Sequence, residues 1–172
     1  MKGKETILEG YYKFAAMRKI EDLLNEYGES HQNPVNKIIH WVCVPVIFYC
    51  TIGLIWLIPV PDAFKEFSFP INWATIGMVV VFVYYSQLSR KLSYGMIFIF
   101  SGIIGMQYQL MKTYGNNLWL PLVILFVVAW TGQFIGHKTE GKKPSFFHDI
   151  LFLLIGPLWI LNSIFEFFKR KF

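Results

Sequence analysis

The sequence predicts an all-α integral membrane bundle, with four to five transmembrane helices behind an N-terminal amphipathic helix. Three observations predict it. Hydrophobic residues make up 55% of the 172 positions and aromatic residues 19%, which is too apolar for a soluble domain. The apolar residues fall into long runs broken by short polar, Gly, Pro or charged stretches. Basic residues collect in alternate breaks, the positive-inside pattern of membrane helices. The length fits one domain, residues 1–172. Residues 1–32 form an amphipathic helix and lead-in loop, and 33–172 form the bundle.

The elements follow in order. The start, Met1-Lys-Gly-Lys-Glu-Thr6, is charged and lacks a cleavable apolar core, so no secretory signal is expected. Glu5 to Tyr27 reads as an amphipathic helix. Leu8, Tyr11, Tyr12, Ala15, Ala16, Leu23, Leu24 and Tyr27 approximate one face of period 3.6, with Lys13, Arg18, Glu21, Asp22 and Glu26 largely off it. Two placements suit it: on the bilayer surface or over a site on the aqueous side. After the break at 28–32, Asn33 reads as an N-cap and Pro34 as a first-turn proline. The run from Ile38 to Val60 is long enough to span, and Pro59-Val-Pro61 ends it. Asp62 to Pro70 reads as a polar loop.

The second span is Ile71 to about Leu88, closed by Arg90-Lys91. The third is Leu92 to Met111, where the Ser101-x-x-x-Gly105 spacing permits close helix packing. Lys112 to Asn117 is a Gly/Asn turn. The fourth is Leu118 to Gly136, ending in Gly132-x-x-x-Gly136. A basic loop, Lys138 to Pro144, precedes the last apolar segment, Phe146 to Phe168. Gly156-Pro157 there predicts a broken, re-entrant hairpin in place of a fifth crossing. Cys43 and Cys50 are seven apart, so on a helix their Cα atoms lie about 10 Å apart, beyond disulfide reach. They read as small core residues.

Charge sets the topology. Lys2, Lys4, Lys13, Arg18, Lys19 and Lys37 flank the N-terminal segment, Arg90 and Lys91 the second break, and Lys138, Lys142 and Lys143 the fourth. The other loops carry one lysine each, Lys65 and Lys112. The N-terminus and these breaks are therefore expected in the cytoplasm. The net charge of +5 belongs to this pattern, and no basic stripe suited to nucleic acid stands outside the spans.

The chain has four histidines. His31 and His40 flank the start of the first span, His137 closes the fourth, and His148 opens the last segment. The topology, assigned without them, puts all four on the cytoplasmic face. Neutral imidazole is a good ligand for iron, zinc, copper and nickel, so the four read as ligands of one metal. His31 and His40 would face opposite ways on one helix, and the Asn33-Pro34 break lets His31 fold back. Asn36 lies one turn from His40, and Gln133 one turn from His137. With Asn33, they are candidates for orienting the imidazole rings. Glu140 and Asp149 are nearby carboxylates able to ligate, orient a ring or move protons. Lys37, Lys138, Lys142 and Lys143 form a basic rim that suits an acidic headgroup. A ligand set without thiolate argues against structural zinc. Open positions on non-haem iron would suit O₂ chemistry on a lipid arriving from the bilayer.

Two motifs carry a family resemblance. They are His31-x-Asn-Pro-x-Asn-x-x-x-His40 followed by Val44-Pro45, and Trp130-x-x-Gln-Phe-x-Gly-His137 followed by Glu140 and Lys142-Lys-Pro144. Together they resemble the fungal 2-hydroxy fatty acid dioxygenase family and its bacterial relatives, from about Tyr12 to the C-terminus. The resemblance implies a small multi-span membrane enzyme that uses Fe²⁺ and O₂, without haem or 2-oxoglutarate. Such an enzyme shortens a 2-hydroxy fatty acid by one carbon and releases CO₂, an α-oxidation step in sphingoid base breakdown. His31, His40 and His137 stand at matching positions and are implied as iron ligands and catalytic residues. The chain departs from the pattern in three places. Gln32 replaces a second histidine present in some members, the stretch from His137 to Pro144 is one residue shorter, and His148-Asp149 replaces an Asp-Asn pair. His148 as a fourth ligand is thus this sequence's own suggestion. The resemblance implies a lipid substrate and a bilayer as partners, with no nucleic acid. The compact chain points to a bacterial inner membrane over the endoplasmic reticulum. Two other readings stay open: a non-catalytic membrane lipid-binding protein, and a membrane haem protein with paired axial histidines. A zinc hydrolase is disfavoured because no His-Glu-x-x-His motif supplies an activating carboxylate.

Overall fold

A computed structural model describes residues 20–65, 67, 69–141 and 152–171, and no strand occurs among them. The N-terminal part of the amphipathic segment, and the stretch holding Lys142, Lys143, His148 and Asp149, lie outside the described residues. Helix α1 covers 20–29, α2 Pro34–Trp56, α3 Asp62–Lys65, α4 Trp73–Leu88, α5 Arg90–Tyr114, α6 Trp119–Glu140 and α7 Phe152–Lys171. A 3-10 turn, Gly115–Leu118, joins α5 to α6. Among the described residues, three helical stretches are long and apolar enough to cross a membrane: Pro34–Trp56, Arg90–Glu140 and Phe152–Lys169.

Local chemistry fixes the boundaries. The Asn33 side chain accepts from Val35 N at 2.9 Å, which places Pro34 in the first turn of α2, where its missing N–H breaks no helical bond. The helix stops at Trp56, short of the Pro59 limit expected from sequence. Asn72 forms a capping box with Thr75, so α4 starts at Trp73 and has 16 residues. That is shorter than the ~20 residues of a full crossing, and the second expected span is shorter than the sequence predicts. The Asp62 to Pro70 loop contains one helical turn, α3.

Helix α6 runs antiparallel along α2. Gly132 faces Cys43 and Ile39, Gly136 faces Asn36 and Ile39, and Leu122 faces Gly53 at the other end. A Cβ at Gly132 would lie 2.8 Å from Cys43 Sγ, and one at Gly136 would overlap Asn36 Oδ1. The glycine pair therefore lets the two backbones approach closely. Ser101-x-x-x-Gly105 does no such work, because Ser101 is exposed and nothing described lies near a Cβ at Gly105. Small residues permit close packing, and this pair faces outward.

The main core runs from the histidine end of the bundle down to Ile52, Ala74 and Met78. Ile20, Leu24 and Tyr27 of α1 are buried there with Tyr85, Met96, Phe100, Ile155 and Leu158. This part of α1 is a packing element of the bundle. Tyr85 OH donates to Leu154 O at 2.6 Å and ties α4 to α7. Helix α7 is continuous through Gly156-Pro157, so the expected broken hairpin does not form. Pro157 is accommodated inside the helix, as Pro45 is inside α2, at the cost of one helical hydrogen bond. Phe152 stacks near Tyr27, and Lys91 sits 5.2 Å above the Phe165 ring, so both ends of this stretch lie at the histidine end.

Candidate metal centre

Three elements each supply one imidazole. The antiparallel pairing of α2 and α6 brings His40 and His137 together, with Nε2 to Nε2 at 3.1 Å. His31 sits on the arm between α1 and α2, and the turn 28–31 is closed by His31 N donating to Gly28 O at 3.0 Å. This folds His31 back over the start of α2. Its ring centre lies 4.2 Å from that of His40 and 5.1 Å from that of His137. All three are buried, and each offers a nitrogen within 4.8 Å of the others, so the trio can hold a metal ion. His148 lies outside the described residues.

Hydrogen bonds set the tautomers. His31 Nδ1 donates to Tyr27 O at 2.5 Å, and His40 Nδ1 donates to Asn36 O at 3.0 Å. Each Nε2 is then left with a lone pair pointing inward. His31 Nε2 is buried without a hydrogen-bond partner. A buried orphan nitrogen of this kind is costly unless something occupies the space in front of it. Two imidazole nitrogens bound to one metal ion at about 2.1 Å stand about 3 Å apart, which matches His40 and His137. The donor set fits a compact ion that favours imidazole. The close approach of the two rings leaves no room between them for a macrocycle, so paired axial ligation of haem does not fit.

The supporting shell is built around Asn36, which is fully buried. Its carbonyl orients His40, while its amide Nδ2 donates to Ser30 O and to Glu140 Oε2, both at 3.0 Å. Glu140 also accepts from Gln32 N at 2.8 Å and Asn33 N at 2.9 Å. Asn33 Nδ2 donates to Thr139 O at 3.3 Å. The end of α6 therefore clasps the arm that carries His31. Glu140 is committed to this clasp and does not face the three imidazoles as a further ligand. Gln133, one turn before His137 on α6, is buried beside His40 of the facing helix. Lys37 is half-buried and near enough to His31 to disfavour its charging, and Lys138 is exposed. Both stand on the rim.

Sequence reasoning misses the aromatic walls. The Tyr27 ring stacks on His31 at 4.3 Å and 9°, and Trp159 lies 5.3 Å from it on another side. Tyr27 has a local signal, an aromatic residue one helical turn before His31. Trp159 has none, since only the fold brings α7 there. Burial lowers the His31 pKa from its ordinary 6.5, and the Tyr27 carbonyl and Glu140 only partly oppose this. The ring is thus held neutral, the form that binds metal. Burial also raises the Tyr27 phenol above its usual range.

Below the trio lies a cavity of about 440 Å³. His40, His137, Gln133 and Tyr27 line one end, and almost everything beyond is apolar, including Val44, Phe48, Ile52, Ile55, Met78 and Phe126. A metal-competent polar head joined to an apolar chamber is the arrangement of a site for an amphiphile.

Residues 17–167 match a protein family described as 2-hydroxy-palmitic acid dioxygenase Mpo1-like. No curated protein and no solved structure matches the chain. The matched region contains every described helix core and all three clustered histidines. The chain therefore belongs to the Mpo1-like family.

Proposed function

We propose that the protein is an Fe²⁺-dependent dioxygenase that shortens 2-hydroxy fatty acids by one carbon, acting at the cytoplasmic face of a bacterial inner membrane. One observation carries the reading. In a member of this family, three buried imidazoles converge within 4.8 Å at the polar end of an apolar cavity.

The reaction balances with O₂ as the only oxidant. The C1–C2 bond breaks, C1 leaves as CO₂, C2 becomes the carboxyl carbon of the shortened acid, and one water is formed. Bound iron would supply O₂ activation and an electrophilic anchor for the carboxylate and hydroxyl. The protein's own residues do the rest. His31 and His40 present Nε2 lone pairs because the Tyr27 and Asn36 carbonyls take their Nδ1 protons, and His137 brings its Nε2 within 3.1 Å of that of His40. The clasp of Asn33, Asn36 and Glu140 holds the His31 arm closed. Gln133 and Tyr27 are polar groups beside the substrate's head. Lys37 and Lys138 draw the carboxylate toward the rim. The apolar walls bury the chain and keep bulk water from the head.

The test is metal analysis of protein purified without oxygen, followed by O₂ uptake and CO₂ release with 2-hydroxypalmitate. The expected result is stoichiometric iron and substrate-dependent uptake, both lost in His40→Ala and His137→Ala. Zinc, no metal, or full activity in either variant would overturn the reading.

A further inference from the structure

The cavity is long, one-ended in its polarity, and open on one side. On α2 its lining runs from His40 to Ile55, fifteen residues, or about 22 Å along a helix. That exceeds the ~15 Å depth of one leaflet of the hydrocarbon core. On α4 the lining residues are Ala74, Gly77, Met78 and Val81, spaced as one helical face. Helix α4 runs antiparallel to α2, so Val81 lies toward the histidines and Ala74 toward the deep end. Helices α4 and α6 both lie against α2 and flank the cavity. Between them, Thr51 and Gly77 on its wall are exposed at membrane depth. A Cβ added at Gly77 would meet nothing within 4 Å. The missing side chain leaves open space next to Met78, which is itself buried.

We infer that this cavity is the binding channel for one unbranched acyl chain, loaded sideways from the bilayer between α4 and α6, with Gly77 and Ala74 setting the chain length it accepts. The inference rests on the dioxygenase reading only for the identity of the head held at the histidines. Its other supports are the apolar lining, the depth, the lateral opening, and a volume in the range of small-ligand sites. An unbranched chain fits because the walls are helix faces with no polar group past Thr51 to satisfy. Sideways loading follows because the histidine end is covered by α1, the His31 arm and Glu140, while the α4–α6 side faces lipid.

The experiment uses the full chain in detergent with two photoreactive palmitic acids, one carrying a diazirine near the methyl end and one near the carboxylate. Neither has a 2-hydroxyl, so neither is consumed. The methyl-end probe should label Ile52, Ile55, Ala74 or Met78, and the carboxylate-end probe should label the Val44 and Gly156 region. Excess palmitate should suppress both. Labelling confined to lipid-facing positions such as Val79, Val80, Val127 and Val128, without competition, overturns the channel. Gly77→Leu should weaken palmitate binding about tenfold relative to decanoate, as expected when about two methylenes lose burial. An unchanged ratio in a folded variant overturns the role of Gly77. Channel labelling without iron or O₂ uptake would leave the channel standing and remove the dioxygenase reading. Turnover with surface labelling alone would do the reverse.

Discussion

Asn36 accepts the Nδ1 proton of His40 on its carbonyl, 3.0 Å away, and grips Glu140 with its own amide at the same distance. One residue thus orients an imidazole of the trio through its backbone and closes the clasp through its side chain. Asn36→Ala keeps the first function and removes the second. The expected outcome is a folded protein whose metal affinity falls about 10–100-fold. Titration of the metal-free protein checks this, and an unchanged affinity would separate the clasp from the site.

Glu140 shares that hydrogen bond, so its effects should overlap with those of Asn36. Glu140→Ala leaves Gln32 N and Asn33 N without their acceptor and should lower stability by about 1–3 kcal/mol. The double variant with Asn36→Ala should be less destabilised than the sum of the two singles, by about 0.5 kcal/mol or more. Denaturation of the four proteins gives the coupling, and strict additivity would contradict a shared network.

Gly132 and Gly136 hold the α2–α6 contact open by lacking a Cβ. Gly132→Ala should destabilise by about 1–3 kcal/mol through overlap with Cys43 Sγ. Cys43→Ala in the same chain should restore most of the loss, because it removes the overlapping sulfur. Gly136→Ala should not be rescued this way, since its obstacle is Asn36, and it should also weaken metal binding. Thermal unfolding of the single and double variants distinguishes the cases.

Tyr27 contributes a ring and a carbonyl to His31. Tyr27→Phe keeps both and should leave metal affinity within about twofold of the parent, since a stacked pair depends on the ring. Tyr27→Ala keeps only the carbonyl and should weaken binding while loosening the core around Ile155 and Leu158. Equal loss in both variants would point instead to the phenol oxygen, and metal titration reads the difference.

The pH dependence follows from His31. Burial lowers its folded pKa beneath the ordinary 6.5, so between those two values the unfolded chain binds more protons. Stability of the metal-free protein should therefore rise with pH through that window and level off above about 6.5. Metal release from the folded protein should begin at lower pH than this decline, because it tracks the folded pKa. Unfolding of the metal-free form and metal retention of the loaded form, each across mildly acidic to neutral pH, give the two curves. Coincident curves would refute the shift.

The sequence makes the histidine trio legible because charge and hydropathy are additive along the chain. Loop lysines and apolar runs suffice to put His31, His40 and His137 at one end, and the Asn33-Pro34 break shows that His31 must fold back. What is hidden depends on distant pairing. Asn36 and Gln133 stand one turn from His40 and His137, so they suggest side-chain support on their own helices. In the fold Asn36 uses its carbonyl, and Gln133 crosses to His40. Periodicity cannot reveal which glycine pair faces a partner, so Ser101-x-x-x-Gly105 and Gly132-x-x-x-Gly136 look alike and only the second packs. Pro157 reads as a break because the sequence does not reveal that packing against the bundle carries the helix through it, as it carries α2 through Pro45.

The arm between α1 and α2 has a consequence for time scale. His40 and His137 are mounted on two helices locked by the glycine contact, whereas His31 is held by a short turn and the Glu140 clasp. Opening that arm strips the trio to two imidazoles without disturbing the helix pair. Metal exchange should then run at the opening rate of a few residues, far faster than unfolding of the bundle. An ion held by such a trio would be lost and regained many times within one folded lifetime.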